Sequence, residues 1–149
     1  MRLKLKPGRQ SGFTLLEVVI AILILAIGLL GLASLQAVSL QMNHSAYSRA
    51  QASNLAYEMA DRMRSNPDGD YSNVDFVDPV PVCNLTLQAQ SNITDQDILE
   101  WRNALACTLP MGNGEIEIGS DDMVTIRVQW DDSRDENAEP FEFALRTRL

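Results

Sequence analysis

The chain has 149 residues, 46% of them apolar, enough for one domain of ordinary size and short for two. Twelve Lys and Arg against twenty Asp and Glu leave a net charge of −8, which disfavours direct nucleic-acid binding without a local basic patch. The soft metal ligands are His44, Cys83 and Cys107, too few for a four-ligand zinc site, and a histidine relay would rest on one residue; no catalytic group, metal or cofactor is expected.

The first element is basic. Arg2, Lys4, Lys6 and Arg9 place four of the twelve cations in the first dozen positions, with no acid among them. An uncharged run follows at residues 18–35, VVIAILILAIGLLGLASL, lacking the polar face that a buried globular helix would show. Counted from Phe13 it is twenty-three residues long. A helix of that length spans roughly 34 Å, slightly more than a hydrocarbon core. Basic residues ahead of the run predict a cytoplasmic N-terminus, with everything after Leu35 beyond the inner membrane face. A secretory signal is the bland competitor, but the run is long for one and leads into Gln36 and Ala37 without a break. An ordinary single-pass anchor leaves Glu17 unexplained, because an unpaired carboxylate one turn into an apolar helix costs a few kcal/mol or more.

The segment Lys6-Pro7-Gly8-Arg9-Gln10-Ser11-Gly12-Phe13-Thr14-Leu15-Leu16-Glu17 resembles the processing site of type IV pilins and pseudopilins. In that family a short basic leader ends in Gly ahead of Phe-Thr-Leu-x-Glu. The resemblance implies that a prepilin peptidase cuts between Gly12 and Phe13 and methylates the new amino terminus, and that the apolar helix stays in the mature protein. Chemistry makes sense of the spacing: cleavage would create a cationic amine at Phe13, one helical turn from Glu17. Paired between neighbouring subunits, the two charges would set axial register in a filament. Gly28, Gly31 and Ser34 form a small-residue ridge suited to close helix packing. The helix-breaking proline that many major pilins carry nearby is missing here.

No Pro or Gly occurs from Leu32 to Asn66, so the helix should continue until Asn66-Pro67-Asp68-Gly69 stops it. Residues 13–66 would then make a helix of roughly 80 Å. Ala52, Leu55, Ala56, Met59 and Met63 give its outer half an apolar face for a sheet, His44 falls in a polar stretch, and Arg62 and Arg64 favour the negative end of the helix dipole. Beyond Pro67 the chain reads as irregular, with one helix starting near Thr94. Thr94 and Asp97 form its expected capping pair, and Ile98, Trp101 and Leu105 its inward face. Cys83 and Cys107 enclose twenty-three residues; outside the cytoplasm an even pair of this kind is read as a structural disulfide.

Beyond residue 112 the apolar period changes from 3.6 to 2. Ile116 and Ile118, then Val124, Ile126, Val128 and Trp130, then Phe141, Phe143, Leu145, Thr147 and Leu149 predict three one-sided strands in an antiparallel meander. Gly119-Ser120-Asp121-Asp122 supplies one turn and the acidic run from Asp131 to Glu139 the other. Asp131, Ser133, Asp135, Asn137 and Glu142 have spacing reminiscent of a calcium loop, but Glu136 stands where such a loop needs Gly, and a solvated hairpin tip is the better reading. The fold class is therefore α+β: a long N-terminal helix, half membrane-spanning and half stalk, packed on a small antiparallel sheet of about three or four strands. Its expected divisions are a leader at 1–12, a membrane and filament-core helix at 13–35, an amphipathic stalk at 36–66 and a periplasmic body at 67–149.

Within the pilin family, Gly28-Leu29-Leu30-Gly31-Leu32, Leu35-Gln36, Met63-Arg64-Ser65-Asn66-Pro67, Asp97-x-x-x-Trp101, Leu109-Pro110-x-Gly112-x-Gly114 and Val124-Thr125-Ile126-Arg127-Val128-x-Trp130-Asp131 resemble the PilV-type minor pilins. That resemblance implies a non-catalytic subunit of the bacterial inner membrane and then of the pilus, helping to prime assembly in or near the tip complex and supporting adhesion and twitching motility. Its implied partners are prepilin peptidase, other minor pilins, the major pilin and the inner-membrane assembly platform. A minor pseudopilin of type II secretion or of a DNA-uptake filament is the alternative; a membrane-anchored periplasmic enzyme is the alternative of another class.

Overall fold

The computed structural model describes residues 12–72, 74–119, 123–131 and 139–149. Arg2, Lys4, Lys6 and Arg9 of the leader, the turn at 120–122, and Ser133, Asp135 and Asn137 of the acidic run lie outside the described residues. Helix α1 covers Leu15–Ser65 and α2 Ile93–Thr108; strands β1 (Asn113–Ile118), β2 (Met123–Trp130) and β3 (Phe141–Arg148) follow. This is the α+β architecture that the change of apolar period predicts. The chain divides into two compact units, Met1–Met42 and Asn43–Leu149, and α1 contributes residues to both.

In the second unit the three strands form an antiparallel sheet in the order β1-β2-β3. Ile116 stands opposite Ile126, Ile126 opposite Leu145, and Val128 opposite Phe143, so the inward residues meet in rows across the sheet. The face of α1 carrying Ala52, Leu55, Ala56, Met59, Ala60 and Met63 is buried with this inner face. Small residues at 52, 56 and 60 alternate with the long, adaptable Met59 and Met63, a combination that lets a helix approach closely and still fill its gaps.

Trp101 and Leu105 bring α2 into the same core. The Trp101 side chain is wholly buried, and its indole N–H donates to the Leu55 carbonyl at 3.0 Å, so the polar end of this large ring is satisfied. A Cβ at Gly114 would collide with the Trp101 ring, and one at Gly112 with the Leu105 carbonyl; glycine at both sites lets the start of β1 pass beneath α2. The Cys83–Cys107 disulfide, with Cα atoms 4.6 Å apart, ties the irregular segment to the end of α2, as the cysteine count predicts.

Three sequence expectations need correction. The cap of α2 is Asn92, whose side chain accepts from the Thr94 N–H at 3.1 Å; Thr94 itself is the second residue of the helix and is buried, its hydroxyl meeting Asn66. Ile118 and Leu149 are not covered: they are 47% and 48% exposed, lining an open groove of about 380 Å³ with Met63, Tyr71 and Arg148, where α1 has already ended. Phe141 is also partly exposed, since it sits at the start of the outermost strand and stacks on Trp130 from the side, with ring centroids 6.0 Å apart.

Candidate functional site

The N-terminal segment is built around a helix start. Residues 12–14 are non-helical and α1 begins at Leu15. Thr14 caps it: its Oγ1 accepts from the Glu17 N–H at 3.2 Å, and its carbonyl accepts from the N–H groups of Glu17 and Val18 at 3.1 and 3.3 Å. This is the spacing of a capping box, Thr-x-x-Glu, a signal present in the sequence at Thr14 and Glu17. Glu17 therefore occupies the first turn, where the helix dipole favours a carboxylate.

The bond between Gly12 and Phe13 lies two residues outside the helix. Gly12 is exposed, with no atom within 4 Å of where a Cβ would stand, and Phe13 is 82% exposed. Beyond Glu17 the apolar run continues without a covered face, and a Cβ at Gly28 or Gly31 would meet nothing within 4 Å. The helix is long and apolar enough to cross a membrane by length and composition, and none of its most apolar window is buried within the chain.

In the body, the charged residues form two clamps. Arg62, read from sequence as a dipole cation, reaches from α1 to α2. It donates to Glu100 at 2.8 Å and Asp97 at 3.1 Å, and to Glu58 one turn back at 2.9 Å. Burial works against its charge, but the bonds to Glu100, Glu58 and Asp97 outweigh that and hold the guanidinium above its ordinary range. Hydrogen bonds from Gln96 and Arg62 hold Glu100 below the usual glutamate value. The Tyr71 hydroxyl donates to Asp97 at 2.8 Å, and burial, with Asp97 beside it, raises its pKa. On the outer sheet face Arg127 bridges Glu115 and Glu117 at 2.6 and 2.8 Å, bonds that raise its pKa.

These clamps fill their own hydrogen bonds. An open cavity of about 420 Å³ beside Arg62 is lined by Glu58, Asp61, Asn66 and Asp97. Among the described residues no group of three His, Cys, Asp or Glu is placed to hold a metal. His44 is exposed on α1. Gly12 and Phe13 lie just ahead of α1 and Glu17 in its first turn, and Cys83 is joined to Cys107.

Residues 7–33 match the family model described as the prokaryotic N-terminal methylation motif, the type IV pilin signal. No curated protein and no solved structure matches the chain. The match covers the leader end, the Gly12–Phe13 bond, Glu17 and most of the exposed apolar run, and supports a pilin or pseudopilin.

Proposed function

We propose, from the methylation motif at residues 7–33, that this chain is a minor pilin that helps prime a type IV pilus and resides in or near its tip. Prepilin peptidase cuts after Gly12 and methylates Phe13. Before the cut, α1 starts at a capped threonine with Glu17 in its first turn; after it, a cationic amine stands one turn from that carboxylate. In lipid an isolated carboxylate is costly, and a neighbour's amine removes that cost as each subunit docks. The exposed helix from Leu15 to Leu35 serves first as the inner-membrane anchor, N-terminus inside and body in the periplasm, and then as the packing surface against other minor pilins and the major pilin at the assembly platform. The clamped body, with its disulfide, presents surfaces to companions and carries no chemistry of its own.

The observation that carries this reading is the motif itself, seated on a helix start that leaves the Gly12–Phe13 bond outside the helix and Glu17 at its first turn. Replacing Glu17 with Ala tests it. The variant should insert and be processed as usual, yet leave the sheared-filament fraction. Unchanged recovery with filaments would remove the assigned docking role.

A further inference from the structure

Two apolar features of the body face outward near opposite ends of α2. At one end Leu85 and Val82 are 93% and 86% exposed, more than any large apolar side chain of the membrane run. They stand on a loop that is held firmly. Cys83 lies between them and is joined to Cys107, the Asn84 N–H donates to Asn103 Oδ1 at 2.7 Å, and Asn103 Nδ2 donates back to the Asn84 carbonyl at 3.0 Å. Leu87, farther along the loop, is partly covered and lines a cavity with Leu99. A loop fixed in this way loses little conformational entropy when it binds, so its two projecting side chains form a ready-made knob.

At the other end is the open groove of about 380 Å³ in which Ile118 and Leu149 are half exposed. Its floor is apolar and buried, made by Met63, Tyr71 and Val124. A cavity of about 150 Å³ accepts a benzene ring, so this groove has room for aliphatic side chains from outside. Helix α2 fixes the distance between the two features. Thr94 near its start meets Asn66, which lines the groove, and Cys107 near its end carries the loop, roughly 20 Å farther along the helix. The knob of one molecule therefore does not fill its own groove.

Charge narrows the choice of occupant. With a net charge of −8, two copies of the chain repel over most of their surfaces. Residues 79–94, which carry the knob, hold no charged residue, and among the described residues that line the groove there is no Asp or Glu. On these two surfaces copies meet without opposed carboxylates, and each surface supplies what the other lacks. We propose that Leu85 and Val82 of one copy enter the groove between Ile118 and Leu149 of a second, a head-to-tail contact that leaves one knob and one groove free for further copies. Such a contact is heterologous and extends from copy to copy or closes a ring, whereas a symmetric dimer would use one patch twice. It involves the body alone and does not rest on the docking proposed for Glu17.

The test uses the full chain in nonionic detergent, read by sedimentation velocity over a concentration series. Leu85→Asp removes the knob and leaves the groove; Ile118→Asp combined with Leu149→Asp spoils the groove and leaves the knob. Each variant alone should associate at least about tenfold more weakly than the unaltered chain. An equal mixture of the two should recover the association yet stop at pairs, because one intact knob and one intact groove remain; misfolded proteins would not rescue each other. Association of the unaltered chain no stronger than that of the variants overturns the proposal. Loss in both variants without rescue in the mixture also does, since that is the pattern of one patch used twice. A groove that retains a companion pilin while the chain shows no self-association would assign it to that companion and overturn the second copy as occupant.

Discussion

The first turns of α1 and the body from residue 43 onward treat apolar surface in opposite ways. From Leu15 to Leu35 every large apolar side chain is between 47% and 84% exposed, whereas the core of the body ranges from 0% to 7%. Full burial of such a side chain is worth roughly 1.5–3 kcal/mol, so the uncovered run represents more free energy than the net stability of an ordinary domain. A sequence keeps such a surface only where lipid or neighbouring helices cover it. The body covers its main core itself, joins its arginine clamps and cysteines internally, and leaves only local apolar spots such as Ile118 and Leu149 open. One region depends on its surroundings along its whole length, the other only at such spots.

That contrast predicts separable effects, and a substitution that crossed between the regions would break it. The largest effect belongs to the processing bond. Replacing Gly12 with a bulky charged residue should abolish cleavage and leave the melting temperature of the body unchanged; normal Phe13 ends in that variant, by mass spectrometry, would contradict the assignment. Next is the core of the body. Trp101→Ala removes a wholly buried ring and its bond to Leu55, and should cost about 3–5 kcal/mol in denaturant unfolding while processing continues. Replacing Cys83 and Cys107 together with Ser should cost roughly 3 kcal/mol on the chain-entropy account, read by the same unfolding curves.

The smallest effect is a pH dependence. Gln96 and Arg62 hold Glu100 below its ordinary value of 4.5 in the folded state. Its contribution is therefore fully present above that value and is lost as pH falls below it, through the depressed folded pKa. Stability should fall through this acid window, and Arg62→Met should reduce the slope there. An identical slope in the variant would show that the clamp does not couple to protonation.

Much of the fold was legible because periodicity is local. The inward faces of α1 and α2 and the alternation in all three strands follow from spacing alone, and the cysteine pair from its number and setting. Arg62 shows what spacing hides: two of its three carboxylates, Asp97 and Glu100, lie on another helix and become neighbours only when α1 and α2 pack. The cap of α2 was ambiguous for a different reason. Asn92 and Thr94 are both good capping residues, and burial of the Thr94 hydroxyl beside Asn66 decides between them. Exposure of Ile118 and Leu149 was beyond reach because alternation tells which face a residue is on, not where the covering helix stops. At the N-terminus the residues of the proposed site were visible as a motif, while the Thr14 cap shows how the chain presents it.

The central claim is that the leader is removed and the exposed helix kept. Intact-mass analysis of the protein recovered from membranes of cells containing a prepilin peptidase tests it most directly. The account predicts a chain beginning at Phe13 and carrying one added methyl group; a chain that retains residues 1–12 in assembled filaments, or that begins beyond the apolar helix, would contradict it.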